Sequence, residues 1–148
     1  MPSATDSRHR GDEAAIRNLI VAATEAWNRG DAHAYSEHFD HDGGFTNILG
    51  ITLYGRDSFE SRHAEIFLTM FRGSRLKQTI RRIRFIHPEV AIADVDAEVS
   101  GYQSLPRGVQ SGADGILRTQ LQQVFLKKRG EWWMVAYHNT DVKPVRGE

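Results

Sequence analysis

Val90-Ala91-Ile92-Ala93-Asp94-Val95-Asp96-Ala97-Glu98-Val99-Ser100 is the stretch that decides the fold class. Successive side chains of an extended chain point to opposite faces, so Ala91, Ala93, Val95, Ala97 and Val99 share one face of a strand that reads from Val90 to Tyr102. Ile92, Asp94, Asp96, Glu98 and Ser100 share the other. A small apolar face backed by an acidic one is the pattern of an antiparallel sheet packed on one side only. Three further segments are extended: Arg75 to His87, Leu117 to Lys128 and Trp132 to Val142. His87-Pro88-Glu89 and Arg129-Gly130-Glu131 are hairpin-sized breaks between them. Residues 103–115, with Gly108, Gly112, Gly115 and Pro106, predict a longer, mobile loop. The first of these strands is basic (Arg75, Lys77, Arg81, Arg82, Arg84), so cross-strand pairing with the acidic face is expected rather than a phosphate site.

Upstream the period is helical. Ala15, Ile16, Leu19, Ile20, Ala23 and Trp27 recur at steps of three and four, with Asp12 and Glu13 at the N-terminal end and Gly30 as the stop. Asp31 is placed to cap a second helix carrying Ala34, Tyr35, His38 and Phe39, which the run Asp40-His41-Asp42-Gly43-Gly44 breaks as a turn. Phe45 to Leu53 reads as extended pieces around Gly50. A third helix opens at Gly55-Arg56-Asp57, where Asp57 and Glu60 have capping-box spacing, and ends before Gly73. Helices followed by a strand meander give an α+β class with an antiparallel sheet.

The 148 residues make one domain, with residues 1–11 as a frayed arm, 12–143 as the folded unit and 144–148 as a tail. Lys plus Arg and Asp plus Glu are equal at 19 each, which argues against a nucleic-acid partner bound by bulk charge. The absence of cysteine excludes disulfides and thiolate chemistry. No apolar run approaches the roughly 20 residues of a membrane span, so no membrane partner and a cytoplasmic location are expected.

The ordered set Trp27-Asn28-Arg29-Gly30-Asp31, Phe39-Asp40-His41-Asp42, Phe45-Thr46-Asn47-Ile48-Leu49-Gly50, Tyr54-Gly55-Arg56, His63, Arg72-Gly73-Ser74-Arg75-Leu76, Pro88-Glu89-Val90-Ala91, Gly130-Glu131-Trp132 and His138-Asn139-Thr140 resembles the nuclear transport factor two-like superfamily. Within it the chain is similar to the SgcJ/EcaC group of SnoaL-like proteins, over about residues 12 to 143. The resemblance implies a cystatin-like cone: helices packed on a curved antiparallel sheet, with a pocket at the open end. Relatives include isomerases, cyclases, dehydratases and non-enzymatic association domains, so the fold leaves function open.

Three residues are candidates for proton transfer. His63 lies four residues from both Phe59 and Phe67 on the apolar stripe of the third helix, either as a core histidine or as a pocket acid–base group. His138 shares a strand face with Trp132, Met134 and Ala136 under strict alternation; the resemblance implies that this face looks into the cone. Asp40 falls where SnoaL-like relatives carry carboxylates near the rim, against an alternative of turn chemistry. On this reading His63 and His138 converge on one cavity. Trp27, Phe39, Phe45, Phe67 and Phe71 would wall it, with Asn47, Tyr54, Tyr102, Arg118 and Gln123 as polar points. The expected ligand is small and hydrophobic, and the expected reaction an isomerisation, cyclisation or dehydration. The alternative is a ligand-binding or association module without chemistry. No cofactor is expected, because no glycine-rich dinucleotide loop is present, and no metal, because His38, Asp40, His41 and Asp42 lack a known ligand spacing. Strict alternation places Trp133, Val135 and Tyr137 together on the outer sheet face, and a homodimer is expected to cover them.

Overall fold

The computed structural model describes residues 4–143, so the tail at 144–148 lies outside the described residues. Six strands form one curved sheet in the order β2-β1-β6-β5-β4-β3. Strands β3 (Arg75–His87), β4 (Val90–Ser100), β5 (Leu117–Lys128) and β6 (Glu131–Asp141) make the expected antiparallel meander. The sheet is nevertheless mixed. β1 (Phe39–Thr46) pairs parallel to β6 and antiparallel to the short β2 (Thr52–Tyr54). The chain leaves β2 through helix α3 (Arg56–Leu68), starts again at the far edge with β3, and meanders back. β6 therefore returns alongside β1 in the same direction.

The inner face of β4 is buried at Ala91, Ala93, Val95, Ala97 and Val99, as its alternation requires. Its acidic face pairs with β3: Asp96 takes Arg81 at 2.9 Å, and Glu98 stands opposite Lys77. Helix α1 (Ala4–Arg29) buries Ile16, Ile20 and Trp27 in the core, and Gly30 ends it at a φ of 69°. Trp27 Nε1 donates to Ser74 Oγ (2.9 Å), and the Asn28 amide clasps both backbone groups of Leu76, closing the open edge of β3.

Three local expectations are corrected. The arm expected at 1–11 is helical from Ala4 onward, because this segment has something to dock on. His9 stacks on Phe85 at 4.6 Å, and Asp12 Oδ1 accepts from Lys127 Nζ (2.9 Å) and Trp132 Nε1 (3.1 Å). These contacts offset the roughly 1 kcal/mol that Gly11 costs inside a helix. Helix α2 (Ala32–Tyr35) is capped by Asp31 as read, but it is a single turn, and His38 and Phe39 lie beyond it. The capping box at Asp57 and Glu60 does not form: Gly55 occupies the cap, two positions before Asp57, and Glu60 binds His33 at 3.0 Å.

The run Asp40 to Gly44 is likewise not a turn but the bulged half of β1. Phe39 stands opposite Met134 and Gly44 opposite Ala136, so the bulge is taken up between them. Gly43 is required by close approach, since a Cβ there would sit 2.8 Å from the Phe39 ring and 3.2 Å from the Met134 carbonyl oxygen. Gly43→Ala is expected to destabilise the protein by about 1–3 kcal/mol through this overlap, read as a lowered urea midpoint with an unchanged slope. An unaltered midpoint would show that the Phe39 ring yields freely.

Candidate functional site

A bulge in β6 determines what faces the inside. Met134 pairs with Phe125 and Ala136 with Val124, so Val135 has no partner of its own on β5. One extra residue reverses the alternation. Trp132 and Met134 point inward before it, and Tyr137 and Asn139 after it. Tyr137 is therefore buried, which leaves only Trp133 and Val135, both partly exposed, of the three-residue apolar patch on which a dimer was expected.

Between the helices and the inner sheet face lies a cavity of about 90 Å³, walled by Trp27, Tyr35, His63, Phe71, Tyr137 and Asn139, with Gln78 and Thr119 among its polar points. His63, 5% exposed, enters from α3. Its Nδ1 lies 2.7 Å from the Phe59 carbonyl oxygen. A carbonyl only accepts, so Nδ1 carries the hydrogen and Nε2 is left as a bare acceptor. Burial, reinforced by the Arg62 cation, lowers the imidazole pKa from 6.5 to about 4 against the opposing hydrogen bond to Phe59, and the ring is neutral near pH 7.

Tyr35 from α2 and Tyr137 from β6 meet hydroxyl to hydroxyl at 3.3 Å beside this ring. Desolvation raises both phenols above their ordinary range, Tyr35 the more because Tyr137 also opposes its ionisation. Both stay protonated. One proton is used in the mutual bond and the other is available. Two acceptors on the cavity wall, Gln78 Oε1 and Asn139 Oδ1, are buried without a partner. Gln78 is held by its other end, Nε2 donating to Thr24 Oγ1 at 2.9 Å. The cavity thus offers a free phenolic donor, an imidazole lone pair and two unmet acceptors.

The three residues expected to act together do not converge. His138 is exposed on the outer sheet face, in a polar recess with Arg81, Asp94 and Gln122, because the bulge turned it there. Asp40 lines a different recess on the β1 side, bound to Lys128 and to the amide of Asp42. Desolvation would raise its pKa, but these partners outweigh it and hold the carboxyl below its ordinary 3.8.

Among the expected wall residues, Trp27 and Phe71 do line the cavity. Phe67 stands behind Trp27 at 4.8 Å, and Phe39 and Phe45 pack around Phe59 as core. Tyr102 is edge-on to Phe71 at 6.4 Å. Gln123 faces inward from β5 and is buried with Oε1 unpartnered, but it does not line the cavity. The remaining three are directed elsewhere. Asn47 Oδ1 accepts from the amides of Leu49 and Ile51 and builds a turn. Tyr54 is 72% exposed, and Arg118 binds Asp114 at 2.7 Å on the surface. Tyr35, Gln78, Thr119, Tyr137 and Asn139 were missed; only their polar character inside apolar segments hinted at them. The loop at 103–115 is tied down: the Gln103 amide donates to the Met70 carbonyl at 2.7 Å, and Val109 is buried.

No protein-family model matches the sequence, and no curated protein matches it. Solved structures do. A protein with a cystatin-like fold from Caulobacter vibrioides superimposes with a TM-score of 0.76 at 29% identity, over 89% of this chain and 90% of that one. A scytalone dehydratase-like protein from Novosphingobium aromaticivorans gives 0.76 at 18% identity, over 95% and 93%. A ketosteroid isomerase-like protein from Erwinia carotovora atroseptica gives 0.69 at 18% identity, over 88% and 96%. Helices packed on a curved six-stranded sheet, in this strand order and with these neighbours, make the chain an α+β protein of the cystatin-like fold.

Proposed function

We propose that the chain is a SnoaL-like protein of the SgcJ/EcaC type that moves a proton on a small oxygenated substrate, as an isomerase or dehydratase does. The observation that carries this reading is the neutral His63, its Nε2 bare, beside a tyrosine pair with one unspent proton in the same cavity. His63 Nε2 takes a proton from the carbon next to a carbonyl. The electron pair moves onto the carbonyl oxygen, which accepts the free hydrogen bond of the Tyr35–Tyr137 pair, and the proton returns at another atom or leaves with a hydroxyl as water. A pKa near 4 makes His63 a weak base on its own. The oxyanion formed beside it would raise that value, since an opposite charge favours the imidazolium. Gln78 Oε1 and Asn139 Oδ1 fit donor groups, such as hydroxyls, on the substrate.

At 90 Å³ the cavity is smaller than the roughly 150 Å³ that accommodates benzene. A ring-sized ligand therefore inserts one polar edge, or displaces Phe71 and Tyr102. That volume is also what favours the second reading, a fold kept for association without chemistry. Deuterium uptake from D2O into the α-position of simple and cyclic ketones separates the two. His63→Gln is expected to abolish uptake, Tyr137→Phe to slow it about 10²–10³-fold, and His138→Gln to leave it unchanged. Uptake as fast in His63→Gln as in the native protein would refute the assignment. No uptake and no thermal stabilisation by any ketone would support the association module.

A further inference from the structure

We infer that the recess between the start of α3, the β1 bulge and the β5–β6 turn is a binding site for the phosphate or carboxylate group of a small organic molecule, separate from the aromatic cavity. Its open volume is about 370 Å³, within the roughly 300–1,000 Å³ of small-molecule sites. It is lined by Arg56, Lys128 and Arg129 against Asp40 and Glu131, with Trp133 among its walls. Asp40 is already engaged by Lys128 and by the Asp42 amide, which leaves the two arginines as the uncommitted charges facing Glu131.

Two features of these arginines have no role in the fold. Arg56 is fixed by Nε donating to the Phe39 carbonyl (2.6 Å) and by lying over the Trp133 ring at 5.2 Å, yet its Nη2 is buried with no acceptor. A guanidinium held over an indole presents fixed donors suited to an oxyanion. It also stands at the first turn of the 13-residue helix α3, which no side chain caps, so the backbone amides there add to the positive potential. Arg129 occupies the first position of the two-residue turn between the paired Lys128 and Glu131, with a φ of 54° beside Gly130 at 79°. It is the only non-glycine residue at positive φ among the described residues. Asn, Asp or Gly is what such a turn favours, so a cation is kept there against backbone preference, and it makes no ion pair with any described residue.

Because this turn relaxes when Asn replaces Arg, the variant that weakens the site should also strengthen the fold. Inorganic phosphate, phenyl phosphate and benzoate are titrated at low ionic strength while the indole resonance of Trp133 is followed by NMR. At least one of the three is expected to shift it saturably, with a Kd of about 1 mM or tighter. Arg129→Asn is expected to raise that Kd about tenfold while raising the unfolding midpoint, so unfolding cannot explain the loss. Arg56→Gln is expected to abolish the shift, with added salt weakening the native response. Phenyl phosphate without benzoate points to phosphate esters, benzoate without the phosphates to carboxylic acids, and equal binding of inorganic and phenyl phosphate to recognition of the oxyanion alone. A Trp133 resonance that none of the three moves overturns the inference, as does an affinity that Arg129→Asn leaves unchanged.

Discussion

Phe59→Ala is expected to remove about 3–5 kcal/mol of unfolding free energy. Phe59 is buried at the junction of every layer. It stacks on Phe39 at 4.2 Å and lies parallel to Tyr35 at 5.7 Å. It meets Phe45 and Tyr137 edge-on at 5.0 and 5.3 Å and touches the His63 ring at 4.3 Å. Large-to-small changes cost most where neighbours cannot close the gap, and here each neighbour is an aromatic ring fixed by others. The new void would adjoin the existing cavity rather than collapse. Set against a total stability of about 5–15 kcal/mol, the variant would be only marginally folded. Tyr54→Ala, at an exposed ring on β2, is the matching control and should change stability by less than about 0.5 kcal/mol. Urea unfolding gives both values; a loss below about 1 kcal/mol for Phe59→Ala would mean the aromatic layer repacks as a fluid.

The parts of this architecture legible in the sequence are those in which periodicity reports burial directly. The alternation of Ala91 to Val99 and the helical stripe through Ile16, Ile20 and Trp27 each have one buried face, and both appear in the structure as read. What escaped is long-range geometry that leaves no local mark. The segment Trp132 to Asn139 contains neither Gly nor Pro, so nothing announces the bulge at Val135; two-residue counting beyond it assigns every side chain to the wrong face. That single displacement removed His138 from the interior and put Tyr137 and Asn139 in its place. Asp40 to Gly44 misled for the opposite reason, because turn-forming residue types are used here for a bulged strand whose partner, β6, lies about ninety residues downstream. His63 was legible because a histidine on a helical apolar stripe is carried inward with the stripe, and its proton partner is its own helix's carbonyl at Phe59.

The electrostatic consequence of that burial sets the remaining prediction. Acidification from pH 6.5 to 4 is expected to cost the native protein about 3 kcal/mol of stability that His63→Gln does not lose. The imidazole of the unfolded chain titrates near 6.5 and that of the folded chain near 4. Between those values the unfolded state binds a proton that the native state refuses, so each step down in pH favours unfolding. Above 6.5 both forms are neutral and the contribution is complete and flat; below about 4 both are protonated and nothing further is lost. Asp40 contributes little in this window, only at its acid end. Its carboxyl is held below 3.8 in the folded state, so the stability it gains from Lys128 is lost mainly as the pH falls further. Gln at position 63 can keep a donor on the Phe59 carbonyl without titrating, and subtracting its pH dependence from the native one cancels the other histidines and carboxylates. The measurement is urea unfolding of both proteins across the range. Two parallel curves would mean that water reaches the His63 ring, and a ring that wet would not have the sheltered Nε2 on which the proposed proton transfer depends.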